Sequence, residues 1–398
     1  MYLIICPAMG LIHSKNPGVG IICPVTYDPS LKTLTIHLGR RNAGPQLNIQ
    51  LAKSLDKMDL LAGIVTSEAT HFEFKEFFKT IDFRNVFHLK TFNSRSGFIL
   101  RLLNYRNITR EIEAIVSKVE PEVIILPMQH ALDLVVFRAL KKSKKRVTTV
   151  SWVHDLENHP GDSKILSRVM NTVTFHYSDV LVVLSKTVEG RLISHAKKPF
   201  IRIDHPIQDL TKEISDTKFS KLDENLKILF AGRLIKYKGL ERLSAAWEII
   251  RDQYPNAELT VAGDGDRKYA EGCFKDSKQV SLRTEYFDPI SFELLFKEAN
   301  IVVIPYDEAS QSGILAMSTA LKKAYVVTPV SGLIEQATLN GGGLIAKNMT
   351  PESFAESVIE LIEMGGSLTY KSNSNLSWMT QTQILMSELH KLLKKAKA

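Results

Sequence analysis

Cysteine is scarce. The 398 residues hold three, Cys6, Cys23 and Cys273, and their spacing suits neither a disulfide framework nor a zinc site. A disulfide-stapled secreted domain and a zinc module are therefore excluded, and a reducing compartment is implied. Long hydrophobic runs are missing as well: no apolar stretch approaches the ~18–20 residues that span a bilayer. The apolar opening MYLIICPAMGLIH has no basic segment before it and no cleavage site after it. It reads as a strand or extension rather than a signal peptide. Aromatic stacking series and nucleic-acid fold signatures are also lacking, so no nucleic-acid partner is expected.

What the chain does have is length and uneven charge. At 398 residues it is too long for one hydrophobic core, which predicts two domains of about 200 residues. The 44% apolar and 24% charged content is that of a soluble globular protein. Residues 1–210 carry 28 Lys and Arg against 19 Asp and Glu, an excess of +9, whereas 211–398 carry 23 against 24, or −1. The densest basic run is KKSKKR, Lys141–Arg146. An anionic membrane surface would account for such a half, and a solvated helix end would account for the run alone.

Apolar strand-like runs alternate with helical patterns from end to end. The runs are TLTIHLG, LLAGIVTS, VIILPM, VTTVSWVH and VLVVLS in the first half. In the second they are KILFAG, AELTVAGDG, NIVVIPY, AYVVTPV and GGLIAKN, with helical stretches such as PQLNIQLAKSL and LERLSAAWEII between them. This alternation predicts an α/β protein of two doubly wound, Rossmann-like domains facing across a cleft, with ligands at the carboxyl ends of the strands. The polar stretch 208–225 is the expected linker between a first domain, 1–207, and a second domain, 226–376.

Within the second domain, Ile228–Gly239 (ILFAGRLIKYKG) runs an apolar strand into Gly232, Arg233 and Lys238. Two cations five residues apart at a strand end suit a diphosphate: the guanidinium forks onto oxygens and the ammonium acts as a point charge. Downstream, SQSGILAMSTAL sets Ser310, Gln311, Ser312, Gly313 and Ile314 where a strand passes into a helix. Unpaired backbone N–H groups at such a helix start attract anions. His154, followed by Asp155, closes the strand VTTVSWVHD at the cleft edge. A neutral imidazole there can donate a hydrogen bond to a reacting group or bind a second substrate, while His159–Gly161 reads as a turn. Asp264–Gly265–Asp266 has the form of a metal-binding triplet, but directly after a strand it is ordinary turn chemistry.

AGRLIKYKG, AELTVAGDGD, the PY…SQSG segment and SGLIEQ, in this order and spacing, resemble the donor-binding half of the retaining GT-B glycosyltransferases of family 4. GRRNAGPQLNIQLAKSL, SWVHDLENHPGD and YSDVLVVLSKTVEGRL are similar to that family's acceptor domain, and residues 377–398 to its helix crossing back to the first domain. The resemblance implies a nucleotide-sugar donor with no metal or other cofactor, and a saccharide acceptor, lipid-linked in surface glycan synthesis. The enzyme would sit in the cytoplasm, peripheral to the inner face of the membrane. It implies donor contacts from Gly232, Arg233, Lys238, Ser310, Gln311, Ser312, Gly313, Ile314 and Glu335, and catalytic roles near His154, Asp155 and Glu308. One departure stands out. With Ser312 as anchor, two glutamates usual in the family fall at Ala309 and Met317, and Glu308 lies one place from the first. A non-catalytic nucleotide- or partner-binding relic, or a soluble transferase on a small acceptor, are the alternatives. Glu335 has a second reading too, as the cap of a helix.

Overall fold

The computed structural model describes residues 27–41, 43–73, 85–92, 97, 105–141, 146–156, 164–195, 198–207, 226–365, 368–371 and 374–397. The opening apolar segment, the linker 208–225, the turn His159–Gly161 and most of the KKSKKR run lie outside these residues.

Two parallel sheets form the molecule. The first contains β1 (Thr33–His37), β2 (Leu61–Ser67), β3 (Val86–Leu89), β4 (Val123–Leu126), β5 (Thr148–Val153), β6 (Val180–Val183) and β7 (Phe200–Arg202), in the order β3-β2-β1-β4-β5-β6-β7. The second contains β8 (Lys227–Ala231), β9 (Glu258–Ala262), β10 (Val280–Arg283), β11 (Ile301–Ile304), β12 (Ala324–Val327) and β13 (Gly343–Ile345), in the order β10-β9-β8-β11-β12-β13. Both orders reverse direction beside the first strand of their sheet, the switch point at which doubly wound folds bind ligands.

Central strands such as β4, β6 and β11 are buried at every position, which is why they read as continuous apolar runs. The strands that the apolar pattern misses, β3, β7 and β10, are all sheet edges with partly exposed residues. Half-exposed edges need no unbroken apolar run, so their signal is weak.

The second domain has one core, built on β8, β9, β11 and β12 and covered by Trp247 and Phe354. The last helix, Trp378–Lys397, packs against the first domain instead. Its Trp378, Leu385, Met386 and Leu389 join Trp152 and Val182 in one buried cluster, and the Trp152 and Trp378 rings stack at 6.0 Å and 12°. Ile207 bridges to Ser377, and the Asp204 N–H donates to Gln381 Oε1 at 2.8 Å. Residues Ile207 and Ser377, one leaving the first domain and the other returning to it, thus lie side by side. Among the described residues no helix is long and apolar enough to cross a membrane.

Candidate functional site

Strand β8 ends at Ala231, and Gly232 and Arg233 follow at the cleft. A short 3-10 turn, Lys236–Lys238, then leads through Gly239 into the helix Leu240–Gln253. Gly239 has φ 71°, and a Cβ there would collide with the Pro305 carbonyl oxygen. Only glycine lets this turn close onto the loop after β11. Asp307 N–H donates to Tyr237 O at 2.8 Å and ties the two loops together. Arg233 Nη2 donates to Tyr237 Oη at 3.0 Å, and Lys238 Nζ lies 3.5 Å from the centre of the Tyr306 ring. A Cβ on Gly232 would lie 3.6 Å from Tyr306 Oη and 3.7 Å from Ile314. Both cations therefore gather beside the start of the helix Gly313–Ala320.

The loop 305–312 is braced from three sides. Arg242 donates to Pro305 O and Met349 O and pairs with Asp307 at 2.7 Å. Thr328 Oγ1 donates to Tyr306 O. Gln336 grips the Ser312 backbone, accepting from its N–H at 2.8 Å and donating to its carbonyl at 3.0 Å. This corrects the expectation that Ser312 offers a free N–H: its amide belongs to Gln336, and its Oγ caps the helix by accepting from Leu315 N–H. The N–H groups left for an anion are those of Gly313 and Ile314. Gly313 is exposed, with nothing within 4 Å of where a Cβ would stand. Two cations and a helix N-terminus converge, an arrangement suited to a diphosphate.

Between this loop and the first domain is a cavity of about 250 Å³. Asp155, Thr187 and Arg191 line it from the first domain, and Glu308, Ala309, Ser310 and Ser331 from the second. Its size lies just under the ~300–1,000 Å³ of small-molecule sites. Three carboxylates, Asp155, Asp307 and Glu308, and a guanidinium line one space, a polar lining matched to hydroxyl groups. Met317, by contrast, packs into the core of the second domain. No ligand contact can be sought at that position.

Among the described residues at least three contacts cross the cleft, and two involve expected site residues. His154 is buried; its Nε2 lies 2.9 Å from Pro127 O and its Nδ1 2.6 Å from Gln311 Nε2. Burial holds its pKa below the usual imidazole value, opposed by the Pro127 contact and Asp155. Both ring nitrogens are in use, which corrects the expectation that His154 donates to the transferring sugar. Glu335 lies inside the helix Ser331–Asn340 and accepts from Lys186 N–H through both oxygens at 3.0 Å. It is a helix cap, but for the facing helix Lys186–His195 of the other domain. The third contact sets the Arg41 guanidinium 4.4 Å from the Tyr286 ring centre.

Asp266 caps the helix Arg267–Cys273 by accepting from Tyr269 N–H at 3.0 Å, while Leu234 N–H donates to the Asp264 carbonyl. The triplet serves as a turn.

Sequence reasoning did not find the histidine wall of the first domain. His37, His130, His154 and His205 are all desolvated, with His37 pushed down to about 3 and His130 and His205 to about 4. The His37 and His130 rings meet edge-on at 5.6 Å. Asp133 accepts from His130 N–H at 2.7 Å, and burial pushes its carboxyl up to about 8. One signal was available: each of these histidines closes or soon follows a strand of one sheet. Arg191, Arg242 and Gln336 lie inside stretches already read as helix or family motif, but nothing in the pattern singles out these side chains.

Comparison with known proteins bears on the fold and on the C-terminal domain. Residues 211–377 match the family model described as glycosyl transferases group 1. An uncharacterised glycosyltransferase of Methanocaldococcus jannaschii is 33% identical over 162 residues, 38% of this chain and 40% of that protein. The capsular polysaccharide biosynthesis glycosyltransferase CapM of Staphylococcus aureus is 21% identical over 267 residues, 62% of this chain and 69% of its own. In three of the curated relatives the matched stretch spans 40%, 54% and 54% of their length, about half. Anabaena HepE, solved with UDP and glucose, superposes with TM-score 0.59 at 13% identity, covering 92% of this chain and 99% of that one. Likeness at that identity speaks for the fold. The C-terminal domain is thus similar to the glycosyl transferases group 1, and the chain as a whole shares the two-domain fold of the solved structures it superposes on.

Proposed function

We propose that the protein is a retaining glycosyltransferase that moves a sugar from a nucleotide-sugar donor to a lipid-linked saccharide acceptor in surface glycan synthesis. The observation that carries this reading is the convergence of Arg233, Lys238 and the start of helix Gly313–Ala320 at the cleft. Sugar transfer expels a nucleoside diphosphate, so charge grows on its β-phosphate in the transition state. Fixed cations and N–H groups lower that barrier, with ~2.7–4 kcal/mol lost when one such donor is removed. Asp155, Glu308 and Arg191 line the space beside them and would hold the sugar and the acceptor hydroxyl. HepE, a protein of the same fold, binds UDP-glucose, and CapM acts in capsular polysaccharide synthesis; both support a nucleotide sugar and a glycan product. Turnover on a panel of nucleotide sugars, with the anomeric configuration of the product read by NMR, tests the reading.

In this reading cations and the helix dipole take the leaving-group charge, and no metal is needed. EDTA is expected to leave activity nearly unchanged. The double substitution Asp264→Asn with Asp266→Asn should do the same, since Asn caps a helix as well as Asp does. Loss of activity on chelation, restored by Mn²⁺ and not by Ca²⁺, would return the triplet to the site.

The membrane surface is the proposed location of the acceptor. Ile165, Leu166 and Val169 are 80%, 43% and 51% exposed on the helix Lys164–Tyr177, with Arg168 exposed among them. Near the other end of that helix, Lys141 Nζ lies 4.6 Å from the Tyr177 ring centre. Each Lys or Arg near an anionic leaflet contributes about 1 kcal/mol. Binding to phosphatidylserine-containing vesicles should weaken with rising salt, and further when Lys141, Lys142, Lys144 and Lys145 are replaced by Gln. Equal partition onto neutral and anionic vesicles would remove this part of the proposal.

One observation favours a rival. Glu335 and Gln311, expected on the donor, are both engaged by the opposite domain. A protein that only binds nucleotides or partners would keep such contacts and show no transfer.

A further inference from the structure

His154 and Gln311 meet across the cleft in a way that decides which end of the amide faces a ligand. The Pro127 carbonyl can only accept, so the imidazole Nε2, 2.9 Å away, carries the ring proton. Nδ1 of that neutral ring can only accept. The Gln311 side chain, 2.6 Å from Nδ1, must present its NH₂ there, which turns Oε1 away. Oε1 is buried and has no hydrogen-bond partner among the described residues. Buried acceptors are nearly always satisfied, so an orphan calls for an explanation. Gln311 also lines a narrow inter-domain cavity of about 10 Å³, together with Ser185, His205, Ser310 and Glu335. That is room for about one hydroxyl-sized group.

We propose that His154 is a positioning residue: it locks the Gln311 amide in one orientation, so that Oε1 accepts a hydrogen bond from a hydroxyl of the donor sugar. The proposal rests on the nucleotide-sugar reading above. Its consequence is selectivity. A site with a fixed, buried acceptor discriminates against an analogue that brings no donor, because the acceptor then stays unpaired. A freely flipping amide would accept either kind of group.

Two measurements on the full chain test this. The first is NMR of ¹⁵N-histidine-labelled protein at pH 7. The wild-type His154 ring is expected to be neutral and protonated at Nε2. Gln311→Glu places a carboxylate against Nδ1 and should convert the ring to imidazolium. A wild-type ring protonated at Nδ1, or an unchanged signal in Gln311→Glu, overturns the proposal. The second is calorimetry with UDP-, GDP- and ADP-sugars and their parent diphosphates. His154→Phe should reduce the affinity margin of the sugar over its diphosphate by roughly tenfold, leaving diphosphate affinity intact. His154→Asn should restore the margin, because its Oδ1 can accept from the Gln311 amide. Gln311→Ala should lose it without disturbing the first domain's core, which keeps the test open if His154→Phe does not fold. An absent margin in the wild type, or one untouched by these variants, overturns the proposal. Failure of every diphosphate to bind would count against the donor-site reading instead, and the NMR measurement still decides the positioning role.

Discussion

Arg233→Ala is expected to lower kcat/KM by roughly 100-fold or more, with a somewhat milder loss for Lys238→Ala. The difference between the two follows from their settings. Arg233 is exposed at the cleft and held by Tyr237, and its planar guanidinium has the fork geometry that matches phosphate oxygens. Lys238 lies over the Tyr306 ring, so part of its charge is already committed to the aromatic face. Neither side chain belongs to the core, so melting temperatures should stay close to wild type. Loss should appear in kcat as well as in KM, because the charge these groups meet grows during the reaction. Near-normal turnover in both variants, with folding verified, would remove the diphosphate assignment.

Acid should unfold the first domain steeply between about pH 6.5 and 4. Unfolded imidazoles take up protons as the pH falls through ~6.5. In the folded protein His37 resists until about 3, His130 and His205 until about 4, and burial holds His154 down in the same direction. Over that window the unfolded state binds more protons, so stability falls as pH falls. Asp133 opposes the trend: its buried carboxyl keeps its proton up to about 8, so its own contribution is lost as pH rises. Each imidazole is worth at most ~1.4 kcal/mol per pH unit, so His37, His130 and His205 with Asp133 set against them give a slope of roughly 2–3 kcal/mol per unit near pH 5, which His154 steepens. Melting temperature against pH should show this fall, and His130→Asn should make it shallower by about one proton. A flat profile from pH 7 to 4.5 would mean that these histidines are not buried neutral.

Much of the fold is legible because central strands of parallel sheets must be apolar throughout; Val123–Leu126 and Ile301–Ile304 announce themselves. Edges such as Val86–Leu89 do not, since half their surface faces water. The elements of the proposed diphosphate site are legible because they are local: Arg233 and Lys238 share one turn, and Ser310–Ile314 one loop. What the sequence hides is what comes together from far apart. The histidines stand at positions 37, 130, 154 and 205, and only the sheet brings them to one wall. Gln336 is an ordinary helical glutamine until the Ser312 backbone is seen against it. Glu335 carries a family motif, yet its carboxylate reaches the neighbouring domain's helix, 149 residues away in the chain.

The central claim is that the C-terminal domain holds a nucleotide sugar and breaks its glycosidic bond to the diphosphate. The most direct test is release of nucleoside diphosphate from a panel of nucleotide sugars, measured side by side for wild type and Arg233→Ala. The account predicts that wild type hydrolyses one of the panel slowly without acceptor, and that Arg233→Ala reduces this by roughly 100-fold. Release from none of them by wild type, even with lipid-linked saccharides added, while every nucleotide sugar binds no better than its diphosphate, would contradict it.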